Sequence, residues 1–140
     1  MTERVSMMPE RLRVDCDSAV LFGSRCGECG AAFLGPVEFC RRCTSDRVES
    51  IELSRTGTLA SYTIVARAPA NWHGLEPYAL GEVLLPEGVL VPAQIVEWSD
   101  GDELRIDDRV ELVLDSVGFD DEGRERVVYA WRRIDGEGAA

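Results

Sequence analysis

The chain has 140 residues, enough for one domain of ordinary size or a small domain with a smaller appendage. Hydrophobic residues make up 45% and charged residues 29%, the balance of a soluble globular protein, and no apolar run approaches the roughly 20 residues of a membrane-spanning helix. The net charge is −11, every one of the 15 basic residues is arginine, and residues 51–140 hold 18 acids against eight arginines, so the chain lacks the clustered cations that a phosphate-neutralising face requires.

The N-terminal stretch MTERVSMMPERLRVDCD is charged throughout and carries no secretory pattern, so a cytoplasmic, reducing location is expected. Residues 1–19 are polar, and Pro9 is placed to open a short helix through ERLR. Residues 20–54 hold CGECGAAFLGPVEFCRRC, two C-x-x-C pairs ten residues apart, each followed by turn formers (Gly30, Thr44, Ser45). A segment of roughly 35 residues buries too little apolar surface to fold alone, and a metal is the natural source of stability.

From residue 55 to 134 the pattern changes to period-two strands with turn punctuation. GTLASYTIVAR (57–67) reads as a strand with Tyr62 and Ile64 on one face. YALGEVLL (78–85) is the next, and Gly81 inside it signals a bulge or tight bend. PEG (86–88) forms a hairpin turn into VLVPAQIVEW (89–98), where Pro92 points to an edge or a bulge because it cannot donate to a ladder. GDELRIDD is an acidic connector with room for one helical turn. RVELVLDSV (109–117) places Val110, Leu112 and Leu114 inward; DDEG turns the chain into VVYAWRRI (127–134), with Val127, Tyr129 and Trp131 on one face. Trp98 and Trp131 are assigned to strands and to the core. Residues 135–140 read as a disordered tail. Five such strands with one longer connector between the third and fourth predict a mainly β protein, an N-terminal rubredoxin-like zinc ribbon followed by a five-stranded OB-fold barrel.

Cys26, Cys29, Cys40 and Cys43 supply four thiolates from two tight turns, the donor set of a tetrahedral metal site. Four cysteines leave no open position for water, so the metal would be structural, with Zn²⁺ favoured over the iron of a rubredoxin-like centre. A thioredoxin-like redox reading is weak, since neither pair precedes a βαβ unit. Cys16 lies apart and reads as an ordinary structural thiol. The barrel shows no G-x-S-x-G and no phosphate-cradling glycine loop, and the chain has one histidine, so no catalytic residue is assigned. The segment RAPANWHGLEPYAL joins two strands yet contains Trp72 and His73 between Pro69 and Pro77, which leaves two readings open: Trp72 caps the end of the barrel, or the loop from Arg67 is an arm that touches a ligand or partner; Arg41 and Arg42 in the second knuckle are further contact candidates.

The order of parts resembles a known family. RCGECGAAFLGPVEFCRRC followed by GTLASYTIV, EPYALGEVLLPEGVLVPAQI and RVELVLDSV…YAWRRI is similar to the acyl-CoA-associated zinc-ribbon/OB-fold proteins, long catalogued as a domain of unknown function. The resemblance runs from about residue 10 to 134. It implies a subunit that pairs with a thiolase-fold protein, as in benzoylsuccinyl-CoA thiolase or the steroid side-chain aldolase. The catalytic groups would lie on the partner, and this chain would support assembly and binding of the acyl-CoA (coenzyme A ester) substrate, with no membrane or nucleic-acid partner. Two readings of other classes remain open: a nucleic-acid-binding ribbon/OB protein, disfavoured by the acidic barrel, and a rubredoxin-like electron carrier.

Overall fold

The computed structural model describes residues 3–14, 18–67, 70, 76–99 and 101–134. Ten strands account for the secondary structure of these residues: β1 (Arg4–Ser6), β2 (Leu12–Val14), β3 (Ala19–Cys26), β4 (Ala32–Leu34), β5 (Val48–Glu52), β6 (Thr56–Val65), β7 (Tyr78–Leu84), β8 (Leu90–Val96), β9 (Arg109–Phe119) and β10 (Glu125–Arg133). No helix occurs among the described residues, so none is long and apolar enough to cross a membrane.

The expected N-terminal helix is therefore corrected. One turn forms, with Arg11 and Leu12 both donating to the Met8 carbonyl, and the chain then extends into β2. A four-residue helix closes too few hydrogen bonds to offset its nucleation cost. The competing arrangement buries Leu12 completely and pairs Leu12–Val14 with Leu21–Ala19 of β3. Likewise β1 runs parallel to the start of β10, Arg4 to Ser6 opposite Glu125 to Val127.

β3 is the spine of the ribbon. The Phe22 amide donates to the Arg11 carbonyl and the Phe22 carbonyl accepts from the Gly35 amide, so β2 and β4 follow one another along one edge. β5 covers the other edge, with Phe22 opposite Glu52 and Cys26 opposite Val48. Leu12, Ala19, Leu21 and Leu53 from this unit join Leu59, Val83, Leu85, Val91, Val110 and Trp131 of the barrel in one hydrophobic core.

The barrel closes in the order β6-β7-β8-β10-β9 and back to β6, antiparallel throughout except for β8 with β10. This is the five-stranded Greek-key closure of an OB-fold. Alternation places Val110, Leu112, Val127, Tyr129 and Trp131 inside, as the sequence pattern requires. Pro92 lies on the half of β8 that β10 does not pair, since β10 meets β8 only at Ile95 and Val96; its missing donor is harmless there. The bulge anticipated near Gly81 falls on the opposite strand, where Ala60 is the extra residue between Leu59 and Ser61. Gly81 itself is a close approach: a Cβ there would come within 2.7 Å of Ile95 Cδ1 and 2.8 Å of Leu59 Cδ1. Gly81→Val should overpack the barrel and cost roughly 1–3 kcal/mol in urea melts, with no effect on metal content. Trp98 is not in a strand but two residues beyond β8, half-buried, its Nε1 donating to the Asp102 carbonyl at 3.1 Å.

A latch joins the two units. Glu87, at the tip of the β7–β8 hairpin, accepts through Oε2 from the Ser54 amide at 3.1 Å and the Ser54 hydroxyl at 2.7 Å. Ser54 lies on the connector between β5 and β6. Burial raises the Glu87 pKa, but the Ser54 hydrogen bonds and the Arg25 charge more than offset that, and the net shift is downward. A carboxylate with a folded pKa below its unfolded value stabilises the protein above the ordinary carboxylate range, and that stability is lost as pH falls. Glu87→Ala should cost about 1–3 kcal/mol at neutral pH, because it strands the Ser54 donors. Melting temperatures followed into acid should converge for the two proteins.

Candidate metal centre

Both cysteine knuckles have the same construction, fourteen residues apart. In the first, Glu28 and Cys29 amides point at Cys26 Sγ at 3.3 and 3.5 Å, and the Gly30 amide donates to the Cys26 carbonyl at 3.0 Å. In the second, Arg42 and Cys43 amides point at Cys40 Sγ, both at 3.3 Å, and the Thr44 amide donates to the Cys40 carbonyl at 2.9 Å. The residue after each pair turns left-handed, Gly30 at φ 80° and Thr44 at φ 67°. Glycine takes this conformation freely, whereas the β-branched Thr44 is strained in it, so the second knuckle is held by its surroundings. Each pair also closes with a bond that spans one residue more, Cys26 amide to Ala31 carbonyl and Cys40 amide to Ser45 carbonyl, both 2.8 Å.

The two knuckles meet. All four sulfurs lie within 4.8 Å of one another, with Cys26 to Cys43 at 3.5 Å and Cys29 to Cys40 at 3.6 Å. Four thiolates about 2.3 Å from a central ion stand about 3.8 Å apart in a tetrahedron, so the cluster has the size that a single metal ion requires. None of the four is in a disulfide; Cys26 and Cys40 are buried, Cys29 and Cys43 exposed. An all-sulfur tetrahedron is the donor set of Zn²⁺ or of a mononuclear iron, and every position is filled by protein.

The electrostatics of the bare cluster show why a cation is needed. At Cys26 the Cys29 amide outweighs burial and pulls the pKa below the ordinary thiol value. Burial works against ionisation of Cys40, but the Cys43 and Arg42 amides prevail and bring it down to about 6. At Cys43 the Ser45 backbone favours the thiolate, yet the Cys26 sulfur, burial and the other thiols push it up to about 12. Four thiolates cannot coexist at this spacing without a positive charge between them.

The other sequence candidates are dispersed. Arg41 and Arg42 are exposed on the second knuckle, on the rim of the sulfur cluster. Arg67 is exposed just beyond β6. Trp72, His73 and Cys16 fall outside the described residues. Among the described residues, the sequence candidates that the structure brings together are the four cysteines. Sequence reading missed the Glu87–Ser54 latch, because Glu87 looked like an ordinary turn residue. Asp120 it placed correctly in a turn: its carboxylate caps the β9–β10 hairpin through the Glu122 and Arg124 amides at 2.9 and 2.8 Å.

A four-cysteine ribbon whose apolar face is shared with an OB barrel makes this a ribbon/OB protein, and comparison with known proteins narrows the group. The family model described as "ChsH2, C-terminal OB-fold domain" matches residues 50–115. A "DUF35 domain-containing scaffold protein" of Methanothermobacter thermautotrophicus is 32% identical over 109 residues, covering 77% of this chain and 80% of that one. The "Benzoylsuccinyl-CoA thiolase subunit BbsA" of Thauera aromatica is 31% identical over 128 residues, covering 90% and 86%. In a solved structure, the "Ltp2-ChsH2(DUF35) aldolase", one chain has the same fold with a TM-score of 0.64 at 24% identity, covering 81% of this chain and 84% of that one. The chain belongs to the DUF35 family.

Proposed function

We propose that this chain is a non-catalytic scaffold subunit of a thiolase-fold enzyme complex acting on acyl-CoA esters, with one structural Zn²⁺ in the Cys26–Cys29–Cys40–Cys43 cluster. The observation that carries the reading is the similarity to a benzoylsuccinyl-CoA thiolase subunit along nearly the whole length of both chains. Chemistry supports it. Catalysis by such enzymes needs an accessible nucleophile with a base beside it. Among the described residues the four cysteines converge on one another, and the two serine hydroxyls that donate to carboxylates do so in structural settings, Ser54 to Glu87 in the latch and Ser61 to Glu82 in a cross-strand surface pair.

In this reading the ribbon and barrel form one rigid body that shapes the enzyme's substrate site. Arg67, Trp72 and His73 are the proposed arm toward the acyl-CoA channel, and Arg41 and Arg42 are placed to meet a partner's acids or a phosphate. The location is the cytoplasm, where thiolates stay reduced.

The test is to assay this chain alone, its thiolase-fold partner alone, and the mixture, with a β-ketoacyl-CoA and free CoA. The mixture alone should turn over at full rate. Thiolysis or aldol cleavage by this chain alone would contradict the reading, and so would a partner whose activity and substrate affinity are unchanged by its presence.

A further inference from the structure

Tyr62 and Ile64 are an anomaly of the barrel. They stand opposite the buried Gly81 and Ala79 on β7, at register positions that face inward, yet each is 41% exposed. The neighbouring element is the connector between β8 and β9. It brings Trp98 and residues 101–104 beside the two side chains without covering them. The result is a pocket of about 320 Å³ lined by Tyr62, Ile64, Trp98 and Leu104, with Asp102 and Glu103 at its rim. Trp98 is fixed there by its bond to the Asp102 carbonyl, and Leu104 forms a buried floor at 5% exposure.

Beside the pocket runs an open strand edge. β9 pairs with β6 only at Thr56–Thr58, and the connector takes Leu59 through the Asp107 amide and Asp108 carbonyl. Beyond Leu59, residues 60–65 have β7 on one side and no backbone partner on the other among the described residues. An exposed strand edge with free amides and carbonyls is a template for a further strand.

We propose that the β6 edge and the Tyr62–Ile64–Trp98–Leu104 pocket form a docking site for an extended segment of a partner protein, which adds as a strand beside residues 60–65 and seats an aromatic side chain in the pocket. Backbone hydrogen bonds supply affinity in strand addition, and the pocket supplies selectivity. The aromatic ring finds an indole and a phenol ring to pack against. Each rim acid already has an arginine beside it, Glu103 with Arg105 at 3.3 Å and Asp102 with Arg133 at 3.8 Å, so the preference for a segment with basic flanks comes from the long-range field of a chain that carries −11. The site needs nothing from the thiolase-fold assignment, and its test contains no enzyme, so either idea can fail alone.

The probe is the peptide acetyl-Lys-Val-Trp-Val-Lys-amide, titrated into the full-length, metal-loaded chain and followed by amide NMR with hydrogen exchange. Amides of residues 60–65 and the Trp98 indole should shift, and the edge amides should exchange about tenfold more slowly. Replacing the peptide tryptophan by alanine, or Ile64→Glu in the protein, should each weaken binding about tenfold or more. Glu103→Lys should weaken the lysine-flanked peptide and strengthen a glutamate-flanked one. Metal content and melting temperature of both variants should stay unchanged, since Ile64 and Glu103 are exposed. The proposal is overturned if no amide of 60–65 responds, if Ile64→Glu binds the peptide as the parent does, or if the alanine peptide binds equally well. It is overturned too if the amides of 60–65 that do not donate to β7 are protected in the free dilute chain, which would assign the edge to the chain's own segment, or if a concentration-dependent dimer disappears in Ile64→Glu, which would assign it to a second copy.

Discussion

Cys40→Ser should empty the metal site and unfold the ribbon. Cys40 is fully buried, and its sulfur receives two amide hydrogen bonds, so its position is built for an anion. A serine hydroxyl at neutral pH brings no charge and a shorter reach, leaving three thiolates, which hold a tetrahedral metal far less well. Metal binding to such modules is worth about 10–16 kcal/mol, more than the stability of most domains of this size. Metal analysis should fall from about one ion per chain to near none, and β3–β5 amides should lose exchange protection. Retention of the barrel signals with loss of those of the ribbon would be the mildest expected outcome; a variant that keeps its metal and its ribbon would contradict the assignment. Acid should act in the same direction. Metal binding expels thiol protons, so affinity falls as pH is lowered; the neighbouring sulfurs that push Cys43 up in the bare cluster are the source of that proton cost.

Trp131→Ala should be the most damaging single change in the barrel. The indole is fully buried, and its Nε1 donates to the Val91 carbonyl at 3.2 Å, from β10 across the interior to the half of β8 that β10 does not pair. Its neighbour on β8 is Ile95, one of only two positions where β8 and β10 form a ladder. Removing it opens a large cavity and weakens the parallel closure together, for about 3–5 kcal/mol in denaturant melts, while the Val91 carbonyl keeps its place in the ladder with Val83. Trp131→Phe keeps much of the volume and should recover part of that loss. A loss below about 1 kcal/mol would mean that the barrel is held elsewhere.

The barrel could be read from the sequence because its strands bury one face each, and a period of two is then forced on Val110–Leu112 and on Val127–Tyr129–Trp131. The convergence of the four cysteines is equally plain, since knuckle geometry ties cysteine spacing to position. The N-terminal strands were not, because three-residue strands carry no period of their own; they exist through edges that β3 and β10 offer from elsewhere in the chain. Trp98 misled for a related reason. Its apolar character fits a strand, but β8 ends at Val96 and the indole is held instead by the Asp102 carbonyl, beside the exposed Tyr62 and Ile64. The Glu87 latch depends on two segments 33 residues apart meeting at one carboxylate, which no local pattern records.

The central claim is that a metal-clamped ribbon and an OB barrel serve as a scaffold for a thiolase-fold enzyme. The most direct measurement is native mass spectrometry of the tagged chain isolated gently from its own cells, beside the Cys40→Ser variant. The expected result is a complex of fixed stoichiometry with a thiolase-fold subunit, one zinc per copy of this chain, and loss of both in the variant. A chain that emerges alone, carries iron in place of zinc, or brings down nucleic acid rather than an enzyme would contradict it.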